Sequence, residues 1–364
     1  MSLPLGLKIA FIGPWNHKSG PGAASRGYIS ALRHASCKVN LYPIRVPSHV
    51  QQQVPAVDIC DFSGSAEIAV VHLPPDRWLT CLTEGQRAII ECARVKIGLS
   101  LCNTPDISAN WDWVLDQVDA IWTPSHFCAD IFAKKTPVRV AVVPYVVSPS
   151  IDDPTRIVFL RRLLGLSNVN RMILLSDDDS SDIIQNPMAL LSAFSRSQLV
   201  NRGWRLFLKM NHRVDAPETG VRLRRLVERT SGAMLIDGTI ADPRLMQATD
   251  LYVSPHCSAQ FGTTIAYTMG LGKIVVATDY GGSRDFLDIA CGFPVPYDLD
   301  RSESGRAWVD EHHLTKSLIA ASQLVEAGDL SLAEAARRRI RDLFSPTAVA
   351  DSMQRSLSRL IRAG

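Results

Sequence analysis

The sequence lacks any apolar run long enough to cross a membrane, since no stretch reaches the roughly 18 apolar residues that a spanning helix needs. Its first residues, Met1 to Ile12, also lack the charged start, long apolar middle and small-residue cleavage site of a secretory signal peptide. We therefore expect a cytoplasmic protein, and association with a membrane surface stays open as an alternative.

The sequence has little excess charge. Lys and Arg number 39 against 36 Asp and Glu, which gives a net charge of +3. No long basic tract occurs, and aromatic residues do not alternate with cations as they do on base-stacking surfaces. We therefore expect no nucleic-acid partner. The arginines at Arg161–Arg162 and Arg337–Arg339 fit solvated helix faces, with an anionic membrane surface as the alternative.

Paired cysteines are also absent. The eight cysteines are scattered, with no Cys-x-x-Cys pair and no metal-like spacing to histidine. They are expected to be buried thiols in a reducing compartment, and no metal site is predicted. A G-x-G-x-x-G dinucleotide fingerprint is missing as well, because the glycines of the first loop fall at positions 13, 20 and 22 with prolines among them.

Short β-branched apolar runs alternate with helical patterns along the whole chain. Near-continuous apolar strands separated by helices are typical of parallel sheets covered on both faces. Two series, of six and then five strands, predict an α/β protein with two doubly wound sheets. The predicted strands lie at 8–12, 39–42, 68–72, 96–99, 120–123 and 138–143, and then at 172–175, 205–209, 233–236, 251–254 and 274–278.

The Pro-, Ser- and Asp-rich segment 147–154 is the predicted linker, because X-Pro pairs and acidic turn residues oppose regular structure. It divides the chain into domains 1–150 and 151–344. A last helix over 345–364 is predicted from Ser345 as N-cap, Pro346 at the first helical position and an apolar stripe.

Two loops are candidates for ligand binding. The loop Gly13–Gly22 precedes a helix that should begin near Ala23, so glycines and free helix amides could meet a ligand there, although a plain flexible loop is the alternative. In the segment Asp250–Thr278 a strand should end near Ser254 and a helix should begin near Gly262. Its first turn offers unpaired amides and the hydroxyls of Thr263 and Thr264, a site that favours anions.

This segment resembles the GT-B glycosyltransferases of family 4, together with Ile121–Phe127, Val143-Pro144, Asn186-Pro187, Asp279–Gly282 and Trp111 upstream. The resemblance spans nearly the whole chain. It implies two Rossmann-like domains facing across a cleft, an acceptor-side N-terminal domain, and a final helix that returns to it. It further implies a nucleotide-sugar donor on the C-terminal domain, transfer with retention of configuration, and no metal or other cofactor.

Several family positions are altered. The resemblance aligns Ala259 and Tyr267 with two glutamates, one near the donor sugar and one at the ribose. It places Gln185 where a diphosphate-binding lysine precedes Asn-Pro. The acidic segment 176–181 lies nearby and would repel a diphosphate, so Lys209, His212 and Arg284 are the cations that could compensate.

The predicted donor-binding residues lie mainly in the second half of the chain: Gly20, Gly22, Asp177, Lys209, Ser258, Ala259, Gln260, Phe261, Gly262, Thr263, Thr264 and Tyr267. His72, at a strand end, is the candidate catalytic residue, with a structural role as the alternative. His256 carries the same two alternatives. The aspartates at 177–179 fit a solvated turn or helix cap better than a metal site, and Trp111 and Trp113 fit packing better than a sugar platform.

Three functions follow from these observations. The leading prediction is a glycosyltransferase that moves a sugar from a nucleotide sugar to a polysaccharide or glycolipid acceptor. The second is a catalytically silent homologue that acts as a structural or regulatory subunit, because the paired glutamates are missing. The third is a dinucleotide-dependent oxidoreductase or epimerase, which the absent glycine fingerprint and the two-sheet layout disfavour.

Overall fold

The structure is a computed structural model that describes residues 6–45, 58–102, 111–177, 182–210, 217–236, 242–300 and 305–363. The strands are β1 Lys8–Gly13, β2 Lys38–Pro43, β3 Ile68–His72, β4 Val95–Leu99, β5 Ala120–Thr123, β6 Arg139–Val142, β7 Arg171–Asp177, β8 Trp204–Met210, β9 Ala233–Ile236, β10 Leu251–Ser254, β11 Ile274–Thr278, β12 Phe293–Val295, β13 Tyr297–Leu299 and β14 Ala307–Val309. The helices are α1 Gly20–His34, α2 Trp78–Cys81, α3 Glu84–Cys92, α4 Asp112–Leu115, α5 His126–Lys135, α6 Pro154–Leu163, α7 Asp182–Gln185, α8 Pro187–Ser197, α9 Pro217–Arg229, α10 Asp242–Ala248, α11 Thr263–Gly270, α12 Glu311–Ala327, α13 Ser331–Phe344 and α14 Pro346–Ala363.

The chain divides into two compact units: unit 1 is Met1–Val147 with Leu343–Gly364, and unit 2 is Ser148–Asp342. Unit 1 contains a six-stranded parallel sheet in the order β2-β1-β3-β4-β5-β6. Its central strands are buried along their length, as strands covered on both faces must be.

The last helix, α14, packs against α1 in unit 1. Val349, Met353 and Leu357 are fully buried, and the Ser345 hydroxyl accepts a hydrogen bond from the amide of Ala348 at 3.4 Å. The Trp122 indole on β5 donates to the Ser356 hydroxyl on α14 at 2.8 Å in the interior. The stripe and cap that predicted this helix therefore supply its packing face and its start.

Unit 2 contains a second six-stranded parallel sheet, in the order β12-β11-β10-β7-β8-β9. All the strands predicted from the sequence are present, but β12 and the antiparallel hairpin of β13 and β14 were not predicted. β12 is three residues long and contains Pro294, which is tolerated because the strand lies at the edge of the sheet.

The prediction that the cysteines are buried is correct only in part. Five of the eight cysteines are buried, but Cys60 and Cys92 are exposed, and Cys81 is half-buried. Cys92 is the last residue of α3, where one side of a surface helix faces solvent.

Membrane-spanning segments were searched for in the described ranges, and no helix there combines the length and the apolar character that crossing a bilayer requires.

Both sheets reverse their strand order at one point, and loops at such a point form the usual binding crevice of an open α/β sheet. In unit 1 the reversal falls between β1 and β3, so the loop after Gly13 and the residue His72 lie there. In unit 2 it falls between β7 and β10, so the loop after Ser254 lies there.

Candidate functional site

The loop after β10 is joined by main-chain bonding to α7, the helix that follows β7, at the reversal point of unit 2. The Cys257 amide donates to the carbonyl of Ile184 at 2.7 Å. Asn186, two residues further on, has a left-handed backbone (φ 51°), and its side chain accepts from the Ala189 amide at the start of α8. The Asn186-Pro187 pair is therefore a helix start, in which Pro187 fits because the first helical turn needs no amide from it.

The loop after β10 is also held against the turn that follows β11. The Gly282 amide donates to the Ala259 carbonyl at 2.7 Å. A Cβ at Gly281 would lie 2.3 Å from that carbonyl oxygen, and a Cβ at Gly282 would lie 2.2 Å from the carbonyl oxygen of Gln260. Both positions require glycine because two main-chain segments are in direct contact.

His256 ties the same two segments together from the interior. Its Nε2 lies 2.9 Å from the Tyr280 carbonyl, and its Nδ1 lies 3.0 Å from the Ser254 hydroxyl. Nδ1 also lies 3.1 Å from the Ser254 carbonyl, so each ring nitrogen has a carbonyl acceptor beside it. Either tautomer of the neutral ring therefore donates to one of these main-chain segments. Burial lowers the pKa of His256 and keeps the ring neutral. This geometry gives His256 a structural role.

The hairpin of β13 and β14 completes the enclosure of Cys257. The Ala307 amide donates to the Cys257 carbonyl at 2.9 Å, and the Tyr280 hydroxyl donates to the Gly305 carbonyl at 2.6 Å. Sequence reasoning missed this hairpin, since its strands are too short to give a recognisable alternation.

The helix α11 begins at this rigid loop. Gly262, its N-cap, has a left-handed backbone (φ 85°, ψ 51°) and provides no side-chain cap, while Thr263 is exposed and Thr264 half-exposed. The predicted start near Gly262 is therefore correct. Uncapped first-turn amides and the positive end of the helix dipole can stabilise an anionic group such as a phosphate.

The other predicted residues of this loop differ in their surroundings. Ser258, Ala259 and Gln260 are half-buried, whereas the Phe261 ring is in the core beside Phe286, with ring centroids 5.5 Å apart. Because its ring is buried, Phe261 can meet a ligand only through its main chain. In α11, the hydroxyl of Tyr267 accepts from the Ser150 amide at 3.1 Å, so it is engaged within unit 2.

Two of the predicted cations are described. Lys209 is buried at the carboxyl end of β8, next to Ser176 on β7. Arg284 is exposed and lies after the Gly281-Gly282 turn, with its Nε 3.4 Å from Asp279. His212, Asp178 and Asp179 lie outside the described residues, and so does the side chain of Asp177.

In unit 1, His72 lies at the reversal point, where the sequence predicted a catalytic residue. Its Nδ1 is 2.6 Å from the Ser25 hydroxyl, and the rings of Phe11 and Tyr28 meet it edge-on. Burial lowers the pKa of His72 to about 4, so the ring is neutral near pH 7. The Ser25 hydroxyl fixes the orientation of this neutral ring, whose low pKa lies below the range near the operating pH that suits a general acid or base.

The loop after β1 contains the predicted Gly20 and Gly22, but α1 begins at Gly20 rather than near Ala23. Ser19 caps this helix by accepting from the Gly22 amide, so that donor is already engaged. A Cβ at Gly22 would lie 2.2 Å from the His17 carbonyl oxygen. Gly20 and Gly22 therefore belong to the first helical turn of unit 1, whereas the other predicted donor residues belong to unit 2.

Sequence reasoning did not single out three consecutive residues of this loop. Trp15 Nε1, Asn16 Oδ1 and His17 Nε2 are buried and have no hydrogen-bond partner among the described residues. The Arg26 guanidinium holds the loop by donating to the carbonyls of Trp15 and His17 at 2.8 and 2.9 Å.

Ser25, the partner of His72, had a usable signal in the sequence. It lies on the stripe Ser25, Tyr28, Ile29 and Leu32, which marks it as a polar residue on a buried helix face.

The fold matches known structures, although neither a protein-family model nor a curated protein matches the sequence. A glycosyltransferase from Rickettsia africae superposes with a TM-score of 0.71 at 14% identity, over 99% of this chain and 100% of the other. HepE of Anabaena, crystallised with UDP and glucose, gives 0.67 at 15% identity over 97% and 100%. The sucrose-phosphate synthase of Thermosynechococcus elongatus gives 0.64 at 15% identity over 98% and 99%.

These comparisons establish the class of fold. The two six-stranded parallel sheets with flanking helices form the two-domain α/β GT-B fold of glycosyltransferases, as the resemblance implied.

Proposed function

We propose that this chain is a glycosyltransferase of the family 4 type, which transfers a sugar from a nucleotide-sugar donor to a polysaccharide or glycolipid acceptor with retention of configuration. The proposal rests on the uncapped start of α11 at the sheet reversal of unit 2, which main-chain bonds hold in place. It is also supported by the match to HepE, which was crystallised with UDP and with UDP-glucose.

In this proposal the donor diphosphate lies at the first turn of α11. The amides of Gly262 to Thr264 and the threonine hydroxyls bind its oxygens, and the charge that develops on the departing diphosphate is stabilised there. Arg284 is the proposed positive side chain, because its neighbour Ser283 lies beside Gly262, where a Cβ would be 3.4 Å from the Ser283 Cβ. The reaction is proposed to need no metal ion, as the family resemblance implies.

Thermal unfolding with a panel of nucleotide sugars tests the donor site. One class of base, with UDP first, should raise the Tm, because a ligand at about 100 times its Kd adds roughly 2.7 kcal/mol of stability. If no nucleotide or nucleotide sugar shifts the Tm, the donor site does not exist.

A glycine substitution provides the matched variant. Gly262→Val should abolish the shift, because valine opposes the left-handed backbone from which α11 begins. Gly165→Val introduces the same backbone strain in the same unit, in open space and away from the site, and should retain the shift.

A second candidate is a catalytically silent homologue that serves as a structural or regulatory subunit. It is favoured by the methyl group of Ala259 at a glutamate position and by Tyr267, whose hydroxyl is engaged by Ser150 at the other. It predicts nucleotide binding without turnover. Release of UDP from UDP-sugar by the purified chain, lost in Gly262→Val, would exclude this candidate.

A further inference from the structure

Large apolar side chains are exposed on unit 2 within the stretch 151–169, on α6 and on the segments that flank it. Fifteen large hydrophobic residues are exposed in the described chain, and five of them fall in this stretch. Their exposed fractions lie between 46% and 78%. We call these five residues the α6 surface: Ile151, Val158, Phe159, Leu163 and Val169.

The helix α6 shows why this surface is unusual. Only Leu160 is buried, whereas Val158, Phe159 and Leu163 are exposed. A helix on the surface of a soluble domain normally keeps its apolar stripe against the core and its polar residues outside. Scattered exposed hydrophobics need no explanation, but a contiguous group on one element marks a contact surface.

The charge on α6 has one sign. The helix contains three arginines and no acidic residue. Arg161 turns inward, where it donates to the Ala248 carbonyl and pairs with Asp250 at 3.0 Å. Arg162 points away from that network: it follows Val158 by four residues and Phe159 by three, so it lies among the exposed apolar side chains.

Two acidic residues precede α6. Asp153 is exposed and caps the helix by accepting from the Thr155 amide at 2.8 Å. Asp152 pairs with Arg244 at 2.7 Å and with Arg156 at 3.5 Å. The Asp153 amide, which donates to the Asp152 carboxylate at 2.9 Å, and then the two arginines hold the pKa of Asp152 below its usual range. Arg156, Arg162 and Arg244 thus face the carboxylates of Asp152 and Asp153, so the rim of the α6 surface keeps an excess of positive charge.

We propose that the α6 surface docks onto an anionic lipid bilayer. Phe159, Leu163 and Val158 would enter the boundary between headgroups and acyl chains, while Arg162 meets lipid phosphates. A second copy of this chain fits less well, because a symmetric contact would bring Arg162 against its own counterpart. The inference goes beyond sugar transfer and holds whether or not the chain is an active enzyme.

Sedimentation with lipid vesicles tests the proposal on the full chain. Vesicles of phosphatidylcholine with about one third phosphatidylglycerol should bind the protein, and vesicles of phosphatidylcholine alone should bind it much less. Raising the salt concentration should weaken the binding to the anionic vesicles. No binding to the anionic vesicles would overturn the proposal.

The decisive variant is the double substitution Phe159→Ser with Leu163→Ser, which should lower the vesicle partition coefficient at least about tenfold. Arg162→Gln should lower it about fivefold. The matched controls are Ile289→Ser with Leu330→Ser, which are similarly exposed in unit 2, and the exposed cation Lys316→Gln. An equal loss in the controls would contradict the assignment to α6.

Two further measurements exclude other causes. The tryptophan fluorescence of the Phe159→Trp variant should be quenched by brominated lipid more strongly than that of the wild type. This readout does not depend on a loss of binding. Analytical ultracentrifugation without lipid should show the same oligomeric state for wild type and double serine variant. A wild-type dimer that the double variant converts to monomer would assign the surface to a second copy and overturn the lipid proposal. Binding only to an acidic protein, and not to anionic vesicles, would overturn it in favour of a protein partner.

Discussion

The carboxyl edges of the two sheets are built by different means. In unit 2 main-chain bonds join the loop after β10 to α7, through Cys257 and Ile184, and to the turn after β11, through Ala259 and Gly282. In unit 1 the loop after β1 buries Trp15 Nε1, Asn16 Oδ1 and His17 Nε2, which have no partner among the described residues. Unit 2 has one comparable group in the described chain, the hydroxyl of Thr278.

The carboxyl edge of unit 2 is thus held by main-chain bonds, whereas the edge of unit 1 has buried polar atoms that could still form hydrogen bonds. A buried polar atom without a partner costs about 1–3 kcal/mol, so the loop of unit 1 has a lower stability than its burial suggests. In unit 2 the described main-chain bonds hold the loop after β10 in place and leave the first-turn amides of α11 available. The most direct way to test this difference is to disturb each edge at its tightest contact.

The largest effect is expected from Gly282→Ala. Its Cβ would lie 2.2 Å from the Gln260 carbonyl oxygen and 2.6 Å from the Phe261 Cα, and both are main-chain atoms in a bonded loop. We expect a loss of about 3 kcal/mol or more in the free energy of unfolding of unit 2, measured by urea denaturation.

Gly22→Ala is the counterpart in unit 1, with its Cβ 2.2 Å from the His17 carbonyl oxygen. It should cost roughly half as much, because Arg26 holds that loop by side-chain bonds that can shift. Gly85→Ala, in open space on α3, is the control and should cause no loss of stability, because alanine favours a helix over glycine. Equal costs at Gly282 and Gly22 would show that the two edges are equally rigid.

The next effect concerns acid stability. Burial lowers the pKa of His72 to about 4, below its unfolded value near 6.5, so the unfolded chain takes up the proton first. Stability should therefore be fully present above pH 6.5 and fall by roughly 3 kcal/mol as the pH drops to 4 and below. Urea denaturation across this range should show a flatter profile for His72→Asn.

His312→Asn, at an exposed histidine of α12, should keep the wild-type slope. If the His72→Asn profile is as steep as the wild type, the acid sensitivity lies elsewhere, and the buried His256 of unit 2 is then the residue to test.

A smaller loss is expected from Ser356→Ala in α14. The substitution leaves the buried Trp122 Nε1 without its 2.8 Å acceptor, which should cost about 2 kcal/mol. Thermal unfolding provides the measurement, with Ser358→Ala on the same helix as the control. A loss of stability within experimental error would mean that unit 1 does not depend on this hydrogen bond.

The smallest effect concerns the charge beside α11. Arg284→Gln should weaken UDP binding about fivefold, because the exposed guanidinium contributes only a screened attraction to a diphosphate. Asp279→Asn should strengthen binding by releasing Arg284, and Lys316→Gln should have no effect. Calorimetric titration measures all three, and stronger binding in Arg284→Gln would contradict the proposed position of the diphosphate.

Much of the fold could be predicted because its signals are local. Strands such as Ile68–His72 are continuous apolar runs, and the start of α14 is marked by Ser345 and Pro346. The strand β12 could not be predicted, since three residues with a proline carry no pattern and the strand is defined by pairing with β11.

The position of the candidate site could be predicted from the sequence, but the hydrogen bonds that hold its loops could not. The glycine at 262 and the threonines after it indicated a helix start, and the start is there. The bonds that hold the loop join residues distant in the chain, such as His256 to Tyr280 and Cys257 to Ala307, and no spacing rule marks them. The hydroxyl of Tyr267 likewise meets Ser150 through tertiary packing alone.

The return of the chain to unit 1 has a consequence for biosynthesis. The first sheet precedes unit 2 in the chain, yet α14 and its Ser356 contact follow unit 2. While a ribosome makes unit 2, the surface of the first sheet that α14 will cover stays open to water. The sheet of unit 1 is thus translated before unit 2 but completed only after it, and a chaperone could bind the open surface in that interval.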